Sequence, residues 1–315
     1  MDWDSPDVKI CIAAALAEDI GAGDLTAEAL VPAEAQATAR IVARQSLVVA
    51  GMPLAERVFR ACGDNIRFEV LFPDGKQTAR DAVLARISGP AQAIFTAERT
   101  ALNFLAHLSG IATLTWRFAE AIAGTNARIR DTRKTTPLLR ALEKYAVRVG
   151  GGQNHRFGLF DAILIKENHI AVAGGVAEAL RRARAAAEIV SRETSLAGGA
   201  EMTAYESFRA PANARVARII SIQVEVRNEA ELREALAAEA DSVLLDNTRP
   251  VEAARLIAIA RAENPECKIE VSGGVNLSNV RAYAEAGANY ISIGALTHSA
   301  PAADLSLLVD SRGVE

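Results

Sequence analysis

Apolar and polar residues recur along this chain in two rhythms, and the balance between them shifts near residue 125. The first third mixes helical and extended periods. Residues 8–19 carry apolar positions at helical spacing, and 52–62 do so again, while 38–50, 66–71, 79–87 and 91–95 are rich in β-branched and aliphatic residues and predict strands. Gly89-Pro90 is the expected turn between the last two, and 97–123 then predicts a helix, interrupted near Ser109-Gly110. Beyond residue 125, short apolar runs alternate with helical stretches, which is the pattern of parallel strands joined by crossover helices. The strands are expected near 127–131, 162–166, 219–225, 242–246, 268–272 and 290–294. Asn228 is placed to cap a helix over 229–239, Asn276 one over 277–286, and Gly287 sits where a left-handed C-terminal residue belongs. Residues 191–215 break the rhythm; they are rich in Ala, Gly and Ser and read equally as a lid or as a surface insertion.

The polar residues in the second part have a systematic place. Four apolar runs finish on Asp131, Lys166, Glu225 or Asp246, and two later ones on Ser272 and Gly294. In a βα-barrel the functional groups lie at the C-terminal strand ends, where the loops form the open face. Any one of these residues is explained as an ordinary strand terminator; six in series point to a site. The fold class is therefore α/β, an N-terminal mixed part followed by an incomplete βα-barrel of six or seven strands.

Composition narrows the function classes. The chain has 315 residues, half of them hydrophobic and 23% charged, which suits a globular protein of one large or two ordinary domains. A net charge of -4 gives no long-range attraction to nucleic acid or anionic lipid, and no nucleic-acid-binding module is recognisable. The start, MDWDSPDVKI, lacks the features of a signal peptide, and no run approaches the roughly 18 apolar residues of a membrane span. Cys11, Cys62 and Cys267 are scattered, form neither metal-ligand nor disulfide spacing, and suit a cytoplasmic setting.

Within an acidic protein, cations gather in 131–170: Arg133, Lys134, Arg140, Lys144, Arg148, Arg156 and Lys166, with His155 and His169. A solvated outer helix accounts for Arg140, Lys144 and Arg148. It accounts poorly for Arg133, Lys134 and Lys166, whose neighbours are strand-like, and these point to a polyanionic ligand held by guanidinium forks and ammonium charges. Glu225 and Asp246, on successive strands, suit either a shared Mg²⁺ or pairing with nearby cations; zinc has no supporting His or Cys spacing. The sequences SGG (272–274) and SIG (292–294) suit backbone binding of a phosphate after the last strands, with His298 and Ser299 either beside the anion or in solvent. Gly150-Gly151-Gly152 reads as a tight loop. Local sequence leaves Arg99 on a helix surface.

Several segments together resemble one family: EDIGAGDLT (18–26), ERTALNFLAHLSGIATLT (98–115), DTRKTTP (131–137), EKYAVRVGGGQNHRFGL (143–159), LIKENHI (164–170), VEV (224–226), LLDN (244–247), VSGGVNL (271–277) and ISIGALTHSA (291–300). They resemble, in order and over nearly the whole chain, the quinolinate phosphoribosyltransferases. The resemblance implies an N-terminal α/β sandwich domain over 1–115, rejoined by the segment near 300–315, and a seven-stranded barrel over 116–299. It implies transfer of a phosphoribosyl group from phosphoribosyl pyrophosphate to quinolinate, with loss of CO₂, to give nicotinate mononucleotide in NAD biosynthesis. It also implies a homodimer or higher homo-oligomer in which Arg99 reaches the partner's site. Thr132, Arg133, Lys134, His155, Arg156 and Lys166 then match the groups around quinolinate and pyrophosphate. Glu225 and Asp246 match the carboxylates near ribose and Mg²⁺, Ser272, Gly273, Gly274 and Gly294 the 5′-phosphate loops, and His298 a phosphate-side histidine. Lys134, Lys166, Glu225 and Asp246 are the expected catalytic groups.

Three positions depart from the family's pattern. Leu138 stands where glycine is usual, Glu167 where aspartate is usual, and 191–215 is long. The alternatives are a molybdenum-transport-associated relative of the same fold, a non-decarboxylating nicotinate phosphoribosyltransferase and a non-catalytic phosphoribosyl pyrophosphate sensor. Lys166 argues against the first of these, and paired cations suited to a dicarboxylate argue against the second.

Overall fold

The computed structural model describes residues 1–195 and 220–310, with the backbone alone over 189–195. It divides into two compact units, one formed by Met1–Trp116, Thr136–Gly151 and the segment from Leu296, the other by Arg117–Thr135 and Gly152–Ala295.

The first unit opens with helix α1 (Pro6–Ile20), where Ser5 accepts the Val8 N–H and Pro6 supplies the first-turn φ without wasting a donor. Helix α2 (Leu25–Leu30), too short for periodicity to reveal, is held by Asp24, whose carboxylate accepts the Ala27 N–H and the Thr96 hydroxyl, both at 3.0 Å. The expected single strand over 38–50 is two, β1 (Gln36–Ala43) and β2 (Leu47–Val48). Helix α3 (Met52–Cys62) buries Met52, Leu54, Ala55, Val58 and Phe59 on one face. Strands β3 (Arg67–Val70), β4 (Gln77–Thr78) and β5 (Val83–Pro90) follow. The last strand, β12 (Leu305–Val309), returns from the far end of the chain and pairs along β1, so the four-stranded antiparallel sheet runs β12-β1-β5-β3. Strand β4 pairs with β2 instead.

Three local expectations fail, the first being the strand over 91–95, which is the beginning of a helix. Gly89-Pro90 is no turn, because β5 runs through it and Pro90 opens directly into helix α4 (Ala91–Ala121) at the edge of the β1 pairing. Nor does Ser109-Gly110 interrupt α4. The Ser109 hydroxyl is buried, accepts the Ala50 N–H and donates to the Ala50 carbonyl. At Gly110 a Cβ would lie 2.1 Å from the Pro301 carbonyl oxygen, so glycine here admits another backbone and does not break the helix. Helix α5 (Arg140–Val149) also belongs to this unit, and it corrects the expectation of a solvated basic face: Lys144 and Glu143 are fully buried, and only Arg148 of its three cations is exposed.

The second unit is a parallel sheet of β6 (Arg128–Arg130), β7 (Ala162–Ile165), β8 (Ser221–Val226), β9 (Ser242–Asp246), β10 (Lys268–Ser272) and β11 (Tyr290–Ser292), in the order β6-β11-β10-β9-β8-β7. Among the described residues there are thus six strands; a seventh position is occupied only by Gln153, in a single parallel bridge to Arg130. The connecting helices are α6 (Glu167–Ala173), α7 (Val176–Ser195), α8 (Glu229–Ala237), α9 (Pro250–Glu263) and α10 (Val280–Glu285); α11 (Ala295–His298) follows β11. Asn228 caps α8 as expected, accepting the Glu231 N–H. Helix α10 starts later than 277, at Val280, because Asn276 closes a turn with Ser278 instead. Residues 191–195 end α7, and 196–215 of the expected excursion lie outside the described residues. No helix among the described residues is long and apolar enough to cross a membrane.

Candidate functional site

Parallel register decides which side chains of the second unit share a face. Glu225 pairs with Leu244, Leu244 with Glu270, Asp246 with Ser272, and Ser272 with Ser292, which in turn pairs with Arg130. Side chains alternate along a strand, so Gln223, Glu225, Ser242, Asp246, Glu270, Ser272, Ser292 and Arg130 lie on one face. The opposite parity, Val224, Val226, Val243, Leu245, Ile269, Val271, Ile291 and Ile129, is aliphatic and buried. The sheet therefore carries one polar face, with the predicted strand-end residues at its C-terminal margin.

The loop after β6 carries three of the predicted residues. Thr132 Oγ1 accepts the Lys134 N–H at 3.0 Å, closing a turn that leaves Lys134 exposed and Arg133 half-buried. Asp131 is wholly buried; its carboxylate accepts the His155 N–H at 2.8 Å and the Asn154 side-chain amide. That contact ties 154–156 to the end of β6. The Arg156 guanidinium donates to the Ala162 carbonyl at 3.1 Å, and burial, then the neighbouring Arg133 charge, lower its pKa. The Asp161 carboxylate partly offsets this shift, and a partly buried pair of like-charged guanidiniums is a chemistry suited to an anion.

The loop after β7 adds Lys166, whose N–H donates to His169 Nδ1 at 3.0 Å at the start of α6. Its Nζ lies 3.7 Å from Glu225 Oε2. Burial pushes the Glu225 carboxyl above the usual carboxylate range; Lys166 draws it down and Asp246 raises it again. The three charges thus act on one another, two carboxylates and one ammonium. Among the described residues no group of three or more His, Cys, Asp or Glu gathers as a metal cage. A pair of oxygen donors is what a phosphate-bound Mg²⁺ asks of a protein, since it keeps several waters.

After β9 and β10 the loops interlock. Asn247, with φ 50°, donates its N–H to the Ser272 carbonyl at 2.9 Å and its amide to Asp246 at 3.0 Å. Gly273 packs against it with φ 87°, and a Cβ there would meet Asn247 Oδ1 at 2.3 Å. Gly274, with φ 64°, has nothing within 4 Å of its would-be Cβ. Ser272 and Gly273 are thus half-buried, Gly274 is exposed with open space beside it, and Gly294 follows β11 on the neighbouring strand end.

The second unit thus brings together Thr132, Arg133, Lys134, His155, Arg156, Lys166, Glu225, Asp246, Ser272, Gly273, Gly274 and Gly294. Arg99 and His298 belong to the first unit: Arg99 is exposed on α4, and His298 is exposed at the end of α11 with Nδ1 2.6 Å from Ser299 Oγ. Gly150, singled out in sequence as part of a loop, is a packing contact: a Cβ there would lie 2.4 Å from the Ala112 carbonyl oxygen.

Residues 24–109 match the family described as quinolinate phosphoribosyl transferase, N-terminal domain, and 111–197 and 194–308 match its C-terminal domain. The chain belongs to the quinolinate phosphoribosyltransferase family. It is 40% identical to the nicotinate-nucleotide pyrophosphorylase [carboxylating] of Mycobacterium leprae, over 93% of this chain and 94% of that one. It is 39% identical to a probable enzyme of the same name from Bacillus subtilis, covering 92% and 89%. Among solved structures it resembles NadC from Streptococcus pyogenes, with TM-score 0.81, 35% identity and coverage of 96% and 97%. The nicotinate-nucleotide pyrophosphorylase of Francisella tularensis gives TM-score 0.80 at 37% identity, covering 97% and 98%. This quinolinate phosphoribosyltransferase family member differs from the sequence expectation mainly in what underlies the site. Arg130, Gln223, Glu270 and Ser292 are polar residues inside apolar strands, and their shared parity with Glu225, Asp246 and Ser272 is the signal that would have found them.

Proposed function

We propose that the protein transfers the phosphoribosyl group of phosphoribosyl pyrophosphate to quinolinate and releases pyrophosphate and CO₂, forming nicotinate mononucleotide. The observation that carries the reading is the coexistence, on one sheet face and its loops, of the Arg133–Arg156 pair and the Lys166–Glu225–Asp246 charge group. The first suits a dicarboxylate. The second suits a sugar centre that becomes cationic beside a departing polyanion.

In this reading the quinolinate nitrogen gives its lone pair to C1 of the ribose while the C1–O bond to pyrophosphate breaks, and the electron pair leaves with pyrophosphate. Glu225 and Asp246 stabilise the positive charge at the sugar. Lys134 and Lys166 receive the negative charge of the leaving group. The ring, now positively charged at nitrogen, accepts the electron pair of the adjacent carboxylate's C–C bond as CO₂ departs, and a proton then replaces it on carbon. Mg²⁺ held by Glu225 and Asp246 would supply further charge neutralisation on the pyrophosphate. Ser272, Gly273, Gly274, Gly294 and His298 hold the 5′-phosphate, and Arg99 of one subunit serves the site of another in a homodimer or larger assembly. Three free cysteines suit a reducing cytoplasm.

The test is to supply quinolinate, phosphoribosyl pyrophosphate and Mg²⁺ and to follow CO₂ and mononucleotide together, with nicotinate in parallel. Equal yields from quinolinate alone are expected. Turnover of nicotinate without CO₂ would move the chain to the non-decarboxylating class, and binding without turnover would favour a sensor.

A further inference from the structure

His155 sits among the cationic residues, yet both of its ring nitrogens are engaged by the protein. Nδ1 lies 2.7 Å from the Arg156 backbone N, which has only a proton to offer, so Nδ1 is the acceptor. The ring proton of a neutral imidazole must then be on Nε2, which faces Gln223 Oε1 at 3.1 Å and Glu270 Oε1 at 3.5 Å. Gln223 is buried and its amide donates onward to Glu270 Oε2 and to Ser242 Oγ, each at 3.1 Å. Glu270 is wholly buried; besides Gln223 it receives Arg130 at 3.1 Å and the Ser292 hydroxyl. The Arg130 guanidinium is stacked 3.4 Å over the Tyr290 ring. A carboxylate with this many donors and no solvent is an anchor whose geometry its partners inherit.

We propose that Glu270 is a positioning residue which, through Gln223 and a neutral, Nε2-protonated His155, fixes the 154–156 backbone and so aims the Arg156 guanidinium at the quinolinate site. His155 in this assignment links the Arg156 backbone N–H, at Nδ1, to the buried Gln223 and Glu270 side chains, at Nε2, and contributes neither nitrogen to the substrate. Asp131 holds the same segment from the other side through the His155 N–H, so the backbone between Asn154 and Arg156 is fastened at two buried carboxylates. Partners that orient a metal ligand from behind typically change affinity or activity by about 10–100-fold when removed, and an effect of the same order is expected for a guanidinium held in this way.

This inference rests on the quinolinate reading, and the test separates the two. Glu270→Gln and Gln223→Leu are prepared in the full-length protein; the second leaves the Glu270–Arg130–Ser292 contacts in place should the first fail to fold. Steady-state kinetics should show the quinolinate KM raised at least about tenfold, with the phosphoribosyl pyrophosphate KM nearly unchanged. Imidazole ¹⁵N NMR of the wild type, with His155 assigned by its loss in His155→Gln among four histidines, should show the Nε2-protonated neutral form, unaltered by saturating quinolinate. Both variants should lose that single tautomer. A wild-type His155 that gains a proton or switches tautomer on adding quinolinate overturns the proposal, because the ring would then be a ligand. So do variants that fold and keep the wild-type quinolinate KM. An inactive wild type with the expected NMR signature would instead refute the quinolinate reading and leave the clamp standing.

Discussion

Glu225 shows how one side chain is pulled by opposing effects. Burial raises its carboxyl pKa, Lys166 at 3.7 Å lowers it, and Asp246 raises it. A raised folded-state pKa means that the folded protein binds this proton more tightly than the unfolded chain does. That contribution to stability is present at low pH and is lost as pH rises through the folded value. Glu225→Gln should therefore raise the thermal midpoint at neutral pH, measured by calorimetry, while abolishing most turnover. If the ionised form is the working one, kcat/KM falls as pH is lowered, with a limb above the ordinary carboxylate range. Lys166→Ala removes the charge that opposes burial, so its limb should move to higher pH, and kcat should drop on the order of 10²–10³. A pH profile of both proteins checks the two statements. Leu138 offers a second residue-scale case. It is 98% exposed and has φ 68°, a left-handed backbone that costs a non-glycine residue about 1–2 kcal/mol. The glycine usual in the family at this place has a conformational reason that the sequence alone leaves unstated. Leu138→Gly should stabilise the fold by up to about 1 kcal/mol, allowing for glycine's greater unfolded entropy. Chemical denaturation reads this as a shifted midpoint at constant slope.

At the scale of elements, the junctions carry the information. The loops after β9 and β10 are locked by the Asn247 N–H on the Ser272 carbonyl, and Gly273 fits only because it lacks a Cβ. Gly273→Ala combines a left-handed φ with a Cβ 2.3 Å from Asn247 Oδ1 and 2.9 Å from its backbone nitrogen. The loop must shift, and on the proposed reading the phosphoribosyl pyrophosphate KM should rise by an order of magnitude or more while the quinolinate KM changes little; a displacement that costs about 1.4 kcal/mol of binding is enough for tenfold. Titration with each substrate separately distinguishes this from general unfolding. Helix α4 carries the complementary lesson. Ser109 and Gly110 look like a break in one dimension, and in three they are where the helix meets the Ala50 backbone and the Pro301 carbonyl. Strand β10 shows the same limit: KIEVS reads as an apolar run ending in serine, and only the pairing with β9 and β11 reveals that Glu270 shares the site's face.

For the whole molecule, the proposed assembly makes a prediction that no single subunit could satisfy. If Arg99 serves a neighbour's site, inactive Arg99→Ala and Lys134→Ala proteins, mixed under conditions of confirmed subunit exchange, should regain up to about one quarter of wild-type activity, since half the dimers are hybrids with one intact site each. Assay against mixing time reads the recovery, and none after exchange would exclude a shared site. The α/β class, the change to parallel strands near residue 125 and the polar residues at strand ends were all legible in the chain, because they follow from periodicity and from the chemistry of side chains at fixed spacing. The family was legible too, from long motifs in unbroken order. Short elements such as α2 and β4 were not, since a few residues carry no period. The return of the segment near 300–315 was legible only through the family resemblance, while its register on β1, which pairs positions separated by most of the chain, was not, nor was the placement of α5 in the first unit with Lys144 buried. What the sequence by itself determined is which residues bear charge at the ends of strands. What only the tertiary structure decided is which buried partners hold them, because a hydrogen bond such as Gln223 to Glu270 spans 47 residues and exists only once parallel register has set both side chains on one face.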